Sequence, residues 1–313
     1  MSKASYEKRM QSLLSDNAIS SYLERLSSAR SRNTMTCVAH VIVRNLLQLD
    51  EFFKWDYLSE ELTTRLFSEL ASQHYSPTTL KTYLYCLKGI AERLWVSKRL
   101  QSDEYMLIQK VKPVRGSRLN HGRMLTKEEL KKLFDYYDRN SEPINVRDSA
   151  IFAVMYFCGL RRSEVIGLRI ENISLDPVNP YMRLIGKGNK ERVINIPPSA
   201  IKRLGKWLDM RSADKGILFT RITRYGEIDE NHAISGSLIY KICTESAQKA
   251  GIDNWSPHDA RRTCASQLLS SGVDIVTVRD YLGHSSINTT QIYDKRSEDR
   301  LQDVARKFDL GID

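Results

Sequence analysis

Several side chains in the C-terminal half have types and local settings that could do chemistry on an anion. Residues 281–294 read YLGHSSINTTQIYD. Gly283 is the residue type that ends helices, so His284 directly follows a helix stop, with Tyr293 nine residues beyond it. An imidazole and a phenol therefore lie on adjoining short elements, close enough to share a site. Arg161 sits in GLRRSEVIGL, just after the stop at Gly159. There it enters the first turn of a helix, where a cation opposes the dipole. An anion would offset that cost, because guanidinium and free backbone N–H groups would bind it together. His258 and Arg261, three apart in SPHDARRTCASQLLSSG, share a face near a helix start marked by Ser256 and Pro257. That is a second natural phosphate position. Lys187 opens KGNK (187–190), a turn sequence that puts an ammonium at a hairpin tip.

These groups must be positioned by elements that the pattern also predicts. Asp274 caps a short helix with Ile275, Val278 and Leu282 on one face. On the helix starting at Pro257, Ala260, Cys264 and Leu268 make a buried stripe opposite His258 and Arg261. TKEE from Thr126 is a capping box, and 146–158 is an apolar helix stopped by Gly159. Residues 173–175, 182–185 and 193–196 have β character, closed by Pro197–Pro198. Helices are predicted over 198–210 and 235–250, while 217–220 and the surroundings of Tyr225–Gly226 read as irregular. The first hundred residues predict a bundle of four helices: 19–28, 34–53, 59 or 60 to 70, and a fourth from Ser76, with Lys98 and Arg99 as cations at its end.

Size and charge bound the rest. A single core seldom grows beyond ~250–300 residues, so 313 residues predict two domains. Hydrophobic content of 41% argues against disorder. The net charge of +10 and pI near 9.3 favour a polyanionic partner, nucleic acid first. Between Glu104 and Glu128, Lys110, Lys112, Arg115, Arg118, Arg123 and Lys127 occur with no acidic residue. A purely basic linker between two domains suits phosphate contact. The expected division is a helical domain over 1–108, a linker over 109–123 and a second domain over 124–313. The five cysteines are scattered, without zinc spacing, and are expected to be reduced and mostly buried. The N-terminus lacks an apolar signal core, and no apolar run approaches the ~18 residues of a membrane span. A cytoplasmic protein without membrane partners is expected.

GLRRSE (159–164), IGKGNKER (185–192), HDARRT (258–263) and LGHSS followed by Tyr293 together resemble the tyrosine recombinases, or phage-integrase family. Order, spacing and local structure agree across about 160–294, and the N-terminal half resembles the family's core-binding domain in its helices, basic linker and SPTTLKTYLYCL segment. The resemblance implies a mainly α fold with a small antiparallel β-sheet: a SAM-like helical bundle, then an α+β catalytic domain. It implies a site-specific DNA recombinase whose catalytic set is Arg161, Lys187, His258, Arg261, His284 and Tyr293, with Glu164 orienting the basic cluster. Lys81, Lys110, Lys112, Arg115, Arg118 and Arg123 are the expected double-stranded DNA contacts. No metal and no nucleotide cofactor is implied.

The chemistry suits these residue types. Transfer at a phosphodiester gathers negative charge on the non-bridging oxygens, which bidentate arginines can hold. A phenol of pKa ~10 is mostly protonated at neutral pH and needs a base, which neutral His258 can be. Lys187 can protonate the 5′-oxygen leaving group, and His284 can donate to the phosphate. By resemblance the product is a 3′-phosphotyrosyl link, and the family works as a tetramer on two sites through a Holliday junction, with accessory DNA-bending proteins as further partners. The segment 297–313, with Leu301, Val304, Ala305 and Phe308 on one stripe, is expected to dock on a neighbouring protomer. Three rival readings are a DNA-relaxing enzyme of the type IB topoisomerase kind, a non-catalytic DNA-binding regulator, and a metal-dependent transposase. The regulator predicts a missing member of the residue set, and none is missing. The transposase needs a carboxylate triad.

Overall fold

The chain folds into two units, Met1–Asn120 and His121–Asp313, in a computed structural model that describes residues 2–116, 122–186, 191–284, 286–291 and 293. Side-chain caps start the helices of the first unit. Ser2 opens α1 (Lys3–Leu14), Asp16 opens α2 (Asn17–Glu24), and Ser28 opens α3 (Ala29–Leu49). Ser59 opens α4 (Glu60–Ser72), and Ser76 with Pro77 opens α5 (Pro77–Val96). A sixth helix, α6, spans Ser102–Lys110. The bundle therefore has two more helices than the sequence pattern predicted. α1 is weakly amphipathic, burying Leu13 alone, and α6 buries Ile108 alone, so neither writes a strong apolar period.

Ile42, Leu46, Leu66, Leu70, Leu84 and Leu87 fill the centre of this unit. Trp55 joins them, its Nε1 donating to the Leu13 carbonyl at 3.0 Å. Arg99 does not serve the end of α5, which stops at Val96. It binds Asp16 and Asp56, each at 2.8 Å, and so ties the cap of α2 to the loop before α4.

In the second unit the capping box at Thr126 starts α7 (Lys127–Asp138). α8 (Pro143–Phe157) is apolar on nearly every side and accordingly central, with α7, α10 and α12 packed around it. α9 (Arg162–Gly167) follows. A three-stranded antiparallel sheet comes next: β1 (Ile173–Ser174), β2 (Tyr181–Ile185) and β3 (Glu191–Asn195), in that order. Met182 and Leu184 of β2 face inward while Ile185 is exposed, as a half-buried strand requires. The register pairs Leu184 with Arg192 and Ile185 with Glu191, so the connection carrying Lys187 leaves one sheet end. Residues 187–190 themselves lie outside the described residues.

α10 (Pro198–Met210) leads to a two-stranded sheet, β4 (Thr220–Ile222) and β5 (Ile228–Ala233), in the region expected to be irregular. β5 reads IDENHA, too polar to signal a strand, and its pairing arises from the Thr223–Glu227 turn closing it onto β4. The unit ends with α11 (Gly236–Ala250), α12 (Pro257–Ser270), α13 (Ile275–Leu282) and α14 (Ile287–Gln291). All five cysteines are free, and four are buried. Among the described residues no helix is long and apolar enough to cross a membrane. The segment 297–313 lies outside the described residues.

Candidate active site

The site assembles where two helix-ending turns meet. α8 stops at Gly159, whose φ is +59° and whose added Cβ would come within 2.3 Å of Leu282 Cδ2. Glycine is needed there both for backbone sign and for space. The turn delivers Arg161 as the N-cap of α9. Arg161 donates through its backbone N and its Nη1 to Glu164, both at 2.8 Å, and through Nη2 to the Gly283 carbonyl at 2.6 Å. The Glu164 side chain is 4% exposed and also accepts from Arg192 at 2.9 and 3.0 Å. Burial pushes its carboxyl up, but the Arg192 and Arg161 bonds more than offset this and hold it below the ordinary carboxylate value.

Ser256 and Asp259 form a capping box at the start of α12. His258 and Arg261 follow, but Arg261 is not on an exposed face opposite the apolar stripe. It is 3% exposed, as buried as Cys264, whereas Leu268 is half-buried. Burial is tolerated because Nη1 donates to the Gly159 carbonyl at 2.5 Å and Nη2 to the Leu282 carbonyl at 2.7 Å. One guanidinium thereby pins both turns. Burial, then Arg161, brings its pKa down to about 10, so it stays charged at neutral pH.

α13 begins at Asp274, which accepts from the backbone N of Val276 and Thr277, and ends at Gly283 with φ +64°. A Cβ on Gly283 would lie 2.8 Å from Arg192 Cζ, so the bare glycine is what lets Arg192 in. His284 Nδ1 is 2.8 Å from Oγ1 of Thr290, a fully buried residue on α14. A Thr290 hydroxyl donating to Nδ1 leaves the ring proton on Nε2. Burial and then the Arg261 and Arg161 charges push the His284 pKa down to about 4, so the imidazole is neutral at pH 7.

Tyr293 is 6% exposed, packed with Cys264, Ala265, Leu269, Val278 and Leu282. Its hydroxyl lies 3.3 Å from His258 Nε2, and its ring centre 6.2 Å from that of His284. Burial, then Arg262 and Arg261, lowers the His258 pKa below 6.5, so the neutral ring is free to accept a proton. Arg161 and Arg192 thus bind one buried carboxylate, with the Arg261 guanidinium in electrostatic reach of it, beside a phenol touching a neutral imidazole. Such a site can hold an anion with more than one negative charge and take the proton from a nucleophile.

Arg161, Glu164, His258, Arg261, His284 and Tyr293 come together here, and Lys187 lies outside the described residues. Of the expected DNA contacts, Lys81, Lys110, Lys112 and Arg115 are exposed in the first unit, and Arg118 lies outside the described residues. Arg123 is different: it binds Glu129 at 2.8 Å and the Asn254 and Asp253 carbonyls, all within the second unit. Arg192 and Arg262 were not singled out from the sequence. Arg192 had a usable signal, since it shares the inward face of β3 with buried Ile194, and a charge on that face calls for a partner.

A helical bundle followed by a mainly helical unit with small antiparallel sheets, carrying this phenol–imidazole–guanidinium cluster, matches one family. The Phage integrase family model covers residues 123–300, and the chain belongs to that family. It is similar to the tyrosine recombinase XerC of Corynebacterium glutamicum, 38% identical over 165 residues, which is 52% of this chain and 51% of that relative's length. The match thus spans about half the length of that relative. The tyrosine recombinase XerA of Pyrococcus furiosus is 27% identical over 85% of this chain and 89% of its own. In fold the chain is similar to the XerH site-specific recombinase bound to a palindromic difH substrate, with TM-score 0.65 at 21% identity over 89% of this chain and 80% of that one. It is also similar to a lambda integrase dimer bound to a COC′ core site, with TM-score 0.64 at 11% identity over 94% and 96%.

Proposed function

We propose that this chain is a site-specific DNA recombinase that cuts and rejoins double-stranded DNA through a covalent 3′-phosphotyrosyl intermediate. The observation that carries the reading is the Tyr293 hydroxyl at 3.3 Å from the His258 Nε2, inside the guanidinium cluster. In the proposed first step the Tyr293 oxygen attacks the scissile phosphorus while His258 accepts the phenolic proton. Arg161 and Arg261 take up the charge that builds on the non-bridging oxygens, and His284 donates from Nε2. The bond to the 5′-oxygen breaks, and that oxygen receives a proton, for which Lys187 is the proposed donor. In the second step a 5′-hydroxyl of the partner strand gives its proton to Lys187 and attacks the phosphotyrosyl phosphorus, the Tyr293 oxygen leaves, and it takes its proton back from His258.

The exposed Lys81, Lys110, Lys112 and Arg115, with Arg118, are proposed to grip the DNA backbone. The assembly proposed is a tetramer on two sites, with 297–313 docking on a neighbouring protomer. The similar relatives named as tyrosine recombinases favour this reading over DNA relaxation. A nicked suicide duplex taken from the DNA flanking the coding sequence tests it. The chain is expected to form a covalent protein–DNA adduct, and Tyr293→Phe to bind the duplex without forming one. An undiminished adduct in Tyr293→Phe overturns the assignment.

A further inference from the structure

One charged group beside the proposed nucleophile has no part in the steps above. Arg262 follows Arg261 on α12, and its Cζ lies 5.6 Å from the centre of the Tyr293 ring. Its Nη1 donates to the Gly122 carbonyl at 2.9 Å. Its Nε and Nη2 are buried with no hydrogen-bond partner among the described residues. Buried donors left without acceptors are costly and persist where something else offsets them. A negative charge appearing next to the guanidinium is such an offset.

The placement is built into the fold. Gly122 has no side chain, and a Cβ there would approach Arg262 Nη2 to 2.8 Å and Cζ to 2.9 Å. The residues after Gly122 are stitched to the same helix: Arg123 N donates to Asp259 Oδ1 and Leu125 N to Thr263 Oγ1, each at 2.9 Å. The stretch 122–125 therefore forms a fixed backing along α12, and its Gly122 carbonyl sets where Arg262 lies.

We infer that Arg262 is a positioning residue for the nucleophile, holding the Tyr293 ring against His258. The inference rests on reading Tyr293 as the nucleophile. A cation over an aromatic face attracts the ring. The same charge disfavours protonation of His258, which burial, then Arg262 and Arg261, already keeps neutral against the opposing pull of Asp259. Among the described residues, the charged and titratable groups around His258 and Tyr293 are Asp259, Arg261, Arg262 and Cys264 on α12, with His284 after α13. One guanidinium thus holds the ring that gives up the proton and keeps the imidazole that accepts it neutral.

The test is the pH profile of adduct formation on the nicked suicide duplex. In Arg262→Gln the His258 pKa rises, so the acid limb of the profile is expected to move to higher pH. On that limb each unit of displacement slows the reaction about tenfold, and the deficit narrows as the pH rises. Arg262→Lys keeps a cation and is expected to keep the limb in place. A profile for Arg262→Gln that is lowered by the same factor at every pH would overturn the inference, as would equal displacement in Arg262→Lys. Because the position of the limb is read, a loss of folded protein cannot imitate the effect. Adduct formation by Tyr293→Phe would instead fail the nucleophile reading and remove the basis for assigning Arg262.

Discussion

Glu164 shows how one residue organises this site. It is the buried carboxylate that both Arg161 and Arg192 bind, and Arg161 also depends on it at the backbone. Removing one partner from a buried ion pair costs about 3–5 kcal/mol, because the remaining charge is left uncompensated. Here two guanidiniums would be left. Glu164→Gln keeps the size and one acceptor oxygen, and is expected to lower the thermal midpoint and cut adduct formation by about tenfold or more, in line with loss of an oriented anion donor. A variant with unchanged melting and unchanged adduct rate would show that Glu164 orients nothing.

At the scale of elements, the site depends on how helices end. Arg261 reaches the carbonyls of Gly159 and Leu282, and Arg161 reaches that of Gly283, so the C-terminal turns of α8 and α13 are bound by the side chains that would bind substrate. Glycine makes this close approach possible. In Gly159→Ala the new Cβ would sit at 2.3 Å from Leu282 Cδ2, on a backbone with φ of +59°. The left-handed conformation alone costs roughly 1–2 kcal/mol for a residue with a side chain, and the clash adds to it. Gly159→Ala is expected to melt several degrees lower and to lose adduct formation, both measurable on the purified chain. A stable, active Gly159→Ala would mean that the two turns are free to separate.

At the scale of the molecule, the basic residues of this stretch stand in two different settings. Lys112 and Arg115 are exposed in the first unit, whereas Arg123 is bound inside the second. Each phosphate contact contributes about −0.9 to the slope of log K against log salt for duplex DNA. Replacing Lys112 and Arg115 together by Gln is expected to make that slope shallower by about two and to weaken binding across all sequences alike. Arg123→Gln is expected to act on thermal stability instead, leaving the salt slope nearly unchanged. Binding measured over a salt series, with melting curves beside it, separates the two, and a large slope change in Arg123→Gln would reverse the assignment.

Much of this molecule was legible as local pattern. The starts at Ser76, Thr126, Ser256 and Asp274, and the stops at Gly159 and Gly283, are written in residue types whose conformational reasons act over a few positions. The strands around 182–196 follow from alternation, while β4–β5 and helices α1 and α6 carried too little apolar period to be seen. The types and spacings of Arg161, His258, Arg261, His284 and Tyr293 pointed to these side chains, and the fold brings them together. Tertiary structure decided what each one touches. The partners are distant in sequence: Arg261 meets Gly159, Arg192 meets Glu164, and Arg262 meets Gly122 and Tyr293. No local period encodes such contacts. They arise because burying α8 and closing the sheet bring two helix-ending turns and β3 to one place, and there a buried guanidinium must find acceptors wherever the fold supplies them.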